Sequence, residues 1–218
     1  MNVGDEILSV SPDGSLQFSE ILLFLDREPN GTRLYYEIET ESGSKISLTP
    51  SHLIFVADDN TTELSRSMGR VEYAKKVQTG QFLYTSSKGD NKSMTFNAME
   101  SLQSRPEYAY FDRVVSVRTR VADGAYAPLT RAGNLIVNNV IASCYAVIND
   151  QSVAHLSFLP IRLLETIKDS FKELSYLLHV RDRQSDHKSV SSHQIGVHWY
   201  PKMLYSLSKY VIPSDKMY

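Results

Sequence analysis

The stretch "KISLTPSHLIFV", residues 45–56, holds the features that decide the fold. Ile46 and Leu48 alternate with polar residues, which predicts a strand with one buried face. Pro50 interrupts this strand, and the apolar block that follows predicts a second strand. Thr49 and His52 therefore lie at a hinge between two strands. A threonine before proline is ordinary turn chemistry and a single histidine is more often structural, so the pair alone does not identify a site.

The chain from residue 5 to residue 150 reads as strands and turns, with one of the turns expected at "ADGA", residues 122–125. Its second half resembles its first: "FSEILLF" at 18–24 parallels "FDRVVSV" at 111–117, and residues 41–55 parallel residues 131–145, with Gly43 over Gly133 and Ile46 over Ile136. This duplication predicts two interlocked β halves around a pseudo-twofold axis. It also predicts that the Thr49–His52 corner lies near the strand that carries Cys144.

After Asn149 the apolar pattern changes to a helical period. Pro160 opens one helical stripe, which comprises Leu163, Ile167, Phe171, Leu174 and Leu178. A second apolar face, bounded by Pro201 and Pro213, comprises Trp199, Met203, Leu204, Leu207 and Val211. We therefore expect a mainly β domain over residues 1–150 and a helical region over residues 151–218.

Composition and charge exclude several classes of function. The 218 residues are 42% hydrophobic with a formal net charge of -2. The sequence contains no long basic run, so it does not suggest a nucleic-acid partner. No apolar stretch approaches the roughly 20 residues that a membrane-spanning helix needs.

The first residues do not resemble a signal peptide, yet Asn30, Asn60 and Asn91 each begin a glycosylation sequon in a polar, turn-like segment. The sequons favour passage through the secretory pathway, as a piece of a longer precursor.

The chain's one cysteine, Cys144, excludes an internal disulfide framework. It lies in an apolar, strand-like run, where a cysteine most often packs as a small hydrophobic residue. His187, His193 and His198 match no compact metal-ligand spacing, and no nucleotide-binding motif occurs, so we expect neither a metal nor a cofactor.

The chain closely resembles the C-terminal autoprocessing region of the hedgehog precursor proteins. The resemblance rests on pieces that span the chain in order: "VGDEILSV", "FSEILLFLDRE", "LTPSHLIFV", "YAPLTRAGNLIVNNVIASCYAVI", "LPIRLLE" and "GVHWYPKMLY". It implies the Hint fold, a β-rich and internally duplicated domain shared with inteins, followed by a helical sterol-recognition region. In that family a cysteine at the start of the domain attacks the preceding glycine carbonyl, and the 3β-hydroxyl of cholesterol then displaces the resulting thioester.

The resemblance also implies roles for four residues of this sequence. Thr49 would position the scissile unit, and His52, which is able to carry a proton near neutrality, would protonate the leaving nitrogen. From the local pattern alone, Asp26 would be a strand terminus. By resemblance it matches the aspartate of the sterol step and is a candidate general base for the cholesterol hydroxyl. Cys144 matches a second cysteine near the active site, with a redox or assisting role.

The implied partners are the chain's own N-terminal signalling domain, joined covalently, and cholesterol as co-substrate, with the processing domain a monomer. The family's nucleophilic cysteine would precede "VGDEILSV", where this sequence has Met1, so we expect a fragment of a precursor. The alternative is an inactive remnant that binds sterol or a membrane surface through Phe171, Trp199, Tyr200 and Tyr205. For these aromatics, packing onto the β domain is the competing interpretation. An intein-like splicing domain is disfavoured, because no asparagine with a following nucleophile ends the sequence.

Overall fold

The computed structural model describes residues 1–58, 70–86, 109–146, 151–177 and 195–211. Within these ranges the chain is mainly β, as predicted, with ten strands and three α-helices. The strands are β1 (Glu6–Val10), β2 (Leu16–Thr40), β3 (Lys45–Leu48), β4 (His52–Ala57), β5 (Arg70–Tyr73), β6 (Phe82–Thr85), β7 (Tyr110–Thr130), β8 (Asn134–Val137), β9 (Val140–Ala146) and β10 (Gly196–Val197). The helices are α1 (Gln151–Ser157), α2 (Leu159–Leu177) and α3 (Trp199–Val211).

All strand pairs are antiparallel, and the main path of the sheet runs β1-β2-β7-β6-β4-β9-β8. β3 and β10 also pair with β2, and β5 pairs with β4. The long strands β2 and β7 pair with each other over most of their length and form the framework of the sheet. Each of the other strands on this path pairs with β2, with β7 or with the strand next to it in the order.

The structure corrects the turn expected at residues 122–125. β2 and β7 remain continuous where Pro, Asn and Gly residues predicted breaks, and the pairing register shifts between Glu28 and Thr32 instead. On the opposite strand Gly124 adopts a φ of +83°, a conformation that glycine allows without strain. Residue types that commonly form turns therefore lie in β-bulges here, and a bulge bends a strand without ending it.

The predicted duplication is confirmed by the order and the turns of the strands. β1-β2-β3-β4 and β6-β7-β8-β9 each comprise a short strand paired with a long antiparallel strand, then a tight turn, a short strand and a further strand. At the first turn the Gly43 amide donates to the Thr40 carbonyl at 2.9 Å, and at the second the Gly133 amide donates to the Thr130 carbonyl at 3.1 Å. Equivalent glycines therefore close equivalent turns, as the sequence alignment of the two halves predicted.

The helical region shares its core with the β domain. Ala154, Phe158, Ile161 and Tyr200 belong to the same buried apolar cluster as residues of β2, β4, β8 and β9. α1 begins at Gln151, next to the predicted boundary at residue 150. The two-domain division itself stays a prediction. None of the helices in the described part of the chain has the length and apolar character to cross a membrane.

Two details of the predicted helices change. α2 includes Pro160 near its start, as expected, but it turns Ile161 and Arg162 inward and leaves Leu163 and Ile167 of the predicted stripe about half exposed. α3 begins at Trp199, so Pro201 lies inside its first turn and does not mark its boundary. Proline is tolerated there because the first amides of a helix have no intrahelical partner.

Candidate active site

Four residues singled out in the sequence line one cavity of about 340 Å³: Asp26, Thr49, His52 and Cys144. Three separate parts of the chain supply them. Asp26 lies in β2, Thr49 and His52 lie at the β3–β4 hinge, and Cys144 lies in β9. The duplicated fold thus brings the Thr49–His52 corner to the strand of Cys144, as expected.

The hinge that carries Thr49 and His52 is held from two sides. The His52 amide donates to the Thr49 carbonyl at 3.0 Å, which closes the turn after β3. His52 then pairs with Ala146 of β9 at the first residue of β4. The Thr49 hydroxyl makes no hydrogen bond to a residue in the described ranges, so it is available to a group that enters the cavity.

The His52 imidazole is oriented by one backbone carbonyl. Its Nε2 lies 2.9 Å from the carbonyl oxygen of Ser143. A carbonyl only accepts, so Nε2 carries the proton and Nδ1 has the free lone pair in the neutral ring. Burial lowers the pKa of His52, although the bond to Ser143 opposes this effect. The lowered pKa favours the neutral ring at rest, and the role of His52 as the proton donor stays a prediction.

Cys144 is buried and its thiol is a hydrogen-bond donor. The Thr130 hydroxyl donates to the Asn134 carbonyl at 2.8 Å, so it accepts from Sγ of Cys144, which lies 3.4 Å away. Burial raises the pKa of Cys144 to about 11, and the hydrogen bonds with Thr130 only partly oppose this rise. The thiol is thus protonated at neutral pH, and a redox or assisting role for it stays a prediction.

Asp26 lies within β2, opposite Ala127 of β7, and is not a strand terminus. Its Oδ2 is 3.0 Å from Nη2 of Arg33, and the same nitrogen is 2.6 Å from Oε2 of Glu28. Its Oδ1 is buried and has no hydrogen-bond partner among the described residues. Sequence spacing could not predict the Asp26–Arg33 pair, because the bulge between Glu28 and Thr32 changes which residues share a face.

The helical region forms part of the cavity, which the sequence did not reveal. Ala154, Phe158, Val197 and Pro201 line it together with apolar residues of β2 and β7. β10 places Val197 opposite Asp26, and the His198 amide next to it donates to the Leu25 carbonyl at 2.9 Å. A backbone pairing thus fixes this wall beside the carboxylate.

A second polar cluster, missed in the sequence, joins the helices to β9. The Tyr145 hydroxyl lies 2.8 Å from Nδ1 of His155, and Nη2 of Arg162 donates to the His155 carbonyl at 2.5 Å. Burial, and then the charge of Arg162, lower the pKa of His155 to about 4. Because Tyr145 lines the cavity, this cluster ties α1 and α2 to the site.

The predicted sterol- or membrane-contacting aromatics differ in their environments. Trp199 is 65% exposed, whereas Tyr200 is only 8% exposed. The Tyr200 hydroxyl donates to the Ser157 carbonyl at 2.8 Å, and its ring packs on Phe158. For Tyr200 the structure therefore favours the alternative interpretation, packing onto the fold. The side chains of Phe171 and Tyr205 lie outside the described part of the structure.

The glycosylation candidates are described at one position only. Asn30 is exposed at the bulge of β2, and Thr32 of its sequon donates to Oδ1 of Asp123 at 2.6 Å. Asn60 and Asn91 lie outside the described residues. Glycosylation stays a prediction at all three sites.

Comparison with known proteins supports the resemblance seen in the sequence. The profile of the Hint module family matches residues 1–213. "Protein hedgehog" of Drosophila melanogaster is 33% identical over 217 residues, covering 99% of this chain and 40% of the relative. "Sonic hedgehog protein" of Xenopus laevis is 35% identical over 240 residues, covering 99% of this chain and 48% of the relative.

The chain thus spans less than half the length of these curated relatives. Among solved structures, the G-1F mutant of the Ssp DnaB mini-intein variant M86 matches 63% of this chain and 79% of its own, at 15% identity and a TM-score of 0.45. The family profile covers nearly the whole sequence, and the duplicated strands and hinge are in place. The chain belongs to the Hint module family.

Proposed function

We propose that the chain is the processing domain of a hedgehog-type precursor, which cleaves its own backbone through a thioester and transfers cholesterol to the released signalling domain. The observation that supports this most directly is that Asp26, Thr49 and His52 line one cavity. Acyl transfer from an amide to an alcohol needs a proton acceptor for each attacking group and a proton donor for the leaving nitrogen, and these residue types supply them. Neither step requires a cofactor.

In the first step the thiol of a cysteine that follows glycine attacks the glycine carbonyl. A carbon–sulfur bond forms, and the thiol proton moves to Nδ1 of His52, which is neutral and unprotonated in the resting site. The carbon–nitrogen bond then breaks, and Nδ1 returns the proton to the leaving nitrogen. Since burial disfavours the charged imidazolium, the ring is a strong acid at this moment. Thr49 would hold the scissile unit through its hydroxyl, which has no hydrogen-bond partner among the described residues.

In the second step the hydroxyl of cholesterol attacks the thioester. Its proton moves to Asp26, a carbon–oxygen bond forms, and the carbon–sulfur bond breaks as thiolate leaves. A thiolate leaves far more readily than an amine, which is why the thioester makes the transfer feasible. In this proposal the precursor carries its signalling domain in cis, acts as a monomer and travels the secretory route.

The test joins a reporter ending in Gly-Cys-Phe to the amino end of the chain, with dithiothreitol or cholesterol as the acceptor. His52→Ala should slow both reactions by about 10²- to 10⁴-fold, the usual range for losing a general acid–base group. Asp26→Ala should abolish sterol transfer and leave thiol cleavage near wild type. Asp58→Ala, an exposed carboxylate outside the cavity, is the matched control. Thiol cleavage that survives His52→Ala would remove His52 from its role.

A second candidate function is supported by a separate observation. Apolar side chains of α1 and α2 are between about half and two-thirds exposed, among them Leu156, Leu163, Leu164 and Ile167. Such a face suits the surface of a bilayer, which would make the chain a sterol- or membrane-binding Hint remnant if it has no activity. Liposome flotation of Leu163→Ser and Leu164→Ser variants tests this. Undiminished flotation, or no flotation of the wild type, would end the membrane proposal.

A further inference from the structure

Arg33 occupies a position between two carboxylates at the wall of the cavity. Its Nη2 lies 2.6 Å from Oε2 of Glu28 and 3.0 Å from Oδ2 of Asp26. The hydrogen bond to Glu28, and then the charges of both carboxylates, raise the pKa of Arg33 despite its partial burial. The guanidinium is therefore charged throughout the physiological range and can act as a fixed point for Asp26.

The bulge of β2 places Arg33 there. The pairing register of β2 with β7 shifts between Glu28 and Thr32, and Arg33 follows this shift directly and contacts Asp26. Gly31 leaves room for the Glu28 side chain, which lies where a Cβ at residue 31 would be. Glu28 in turn holds the guanidinium. The turn-like sequence after Asp26 thus positions an arginine on the carboxylate, although it forms no turn.

The two oxygens of Asp26 have different environments as a result. Oδ2 contacts Arg33, whereas Oδ1 is buried and has no hydrogen-bond partner among the described residues. A buried carboxylate oxygen without a donor is energetically unfavourable. A hydroxyl brought by a substrate would supply the missing donor. The neighbouring wall from Phe158, Val197 and Pro201 is apolar, which matches an alcohol with a large hydrocarbon body.

We propose that Arg33 is a positioning residue for the acceptor step, holding Oδ2 of Asp26 so that Oδ1 receives the hydroxyl of an apolar alcohol seated against this wall. The inference rests on the proposed function and assigns the geometry of its second step. The hydroxyl proton moves to Oδ1, the alcohol oxygen bonds to the acyl carbon, and the carbon–sulfur bond breaks with thiolate leaving. Thiol cleavage needs no alcohol, so it does not involve Arg33.

The test uses the Gly-Cys-Phe reporter fusion with Arg33→Ala, Arg33→Lys and the control Arg27→Ala. Arg27 is the neighbouring arginine of β2 and stacks on the Phe24 ring outside the cavity. Arg33→Ala should lower kcat for cholesterol transfer by about tenfold or more, with KM for cholesterol and the rate of thiol cleavage within about twofold of wild type. Arg33→Lys, which keeps the charge, should restore part of kcat. Arg27→Ala should match the wild type.

Two results in the Arg33 variants would overturn the inference. Wild-type kcat for cholesterol in Arg33→Ala would show that Asp26 needs no positioning by Arg33. An equal loss of thiol cleavage and sterol transfer in Arg33→Ala, with no recovery in Arg33→Lys, would show that the arginine supports the fold instead. If the wild-type fusion forms no sterol ester while thiol cleavage proceeds, the proposed function fails at its second step, and this assignment fails with it. That outcome is read from the wild type, so it is distinct from the other two.

Discussion

Replacing Thr130 by valine removes a hydroxyl at the turn behind Cys144 while keeping the side-chain shape. The hydroxyl is fully buried, donates to the Asn134 carbonyl at 2.8 Å and accepts from the Gly133 amide at 3.1 Å and from Cys144. Since valine fills the same volume, the loss is one of hydrogen bonds, which costs about 1–3 kcal/mol when buried partners are left behind. With a urea m-value of about 2 kcal/mol per molar, the unfolding midpoint should fall by about 0.5–1.5 M.

The duplicated half provides the matched control, Thr40→Val. The Thr40 hydroxyl has only long bonds, 3.3 Å to the Ser44 carbonyl and 3.4 Å to Oγ of Ser42. The Ser44 carbonyl also keeps the Thr40 amide as a donor. This substitution should therefore cost less than about 1 kcal/mol. Urea denaturation followed by fluorescence measures both variants. A Thr40→Val cost equal to or above that of Thr130→Val would refute the assignment of the tighter network to the half that carries Cys144.

Three further predictions follow from burial and backbone geometry. Folding lowers the pKa of His155 from 6.5 to about 4, so the unfolded chain binds more protons between these values. The stabilising contribution of neutral His155 is present above pH 6.5 and is lost as pH falls toward 4. The free energy of unfolding, measured by urea denaturation at a series of pH values, should therefore fall more steeply over this window in the wild type than in His155→Gln. Parallel dependence on pH in the two proteins would refute this. Gly133→Ala should cost more stability than Gly43→Ala in urea denaturation: both have positive φ, but only at Gly133 would a Cβ overlap the His155 ring. Cys144 should react with a maleimide at least about a hundredfold more slowly in the native than in the urea-unfolded chain, because the thiol is buried and its pKa is raised to about 11; comparable rates would contradict its burial.

The sequence predicted those parts of the site that depend on local pattern. Alternating and continuous apolar runs located the strands on either side of Pro50, and the duplicated turns at Gly43 and Gly133 brought the hinge to the strand of Cys144. These features depend on side-chain period and on turn chemistry, which short segments carry within themselves.

The remaining parts depend on contacts between distant segments. The residues after Asp26 have the composition of a turn, and only pairing with β7 makes them a bulge that places Arg33 on the carboxylate. The helical stripe through Leu163 had the right period, but the face that packs is determined by the complementary surface of the sheet. The two-residue strand β10 is too short to show a period, so its pairing with β2 had no signal in the sequence.

The addition of β10 to β2 has a consequence for engineering this family. The predicted boundary at residue 150 is the natural place to join a chimera that exchanges the helical region between relatives. Here such a junction would separate Val197 from its pairing partner Asp26 and Phe158 from Tyr145, against which its ring stacks. A chimera that keeps these contacts therefore has to exchange β2, with its bulge, together with the helical region.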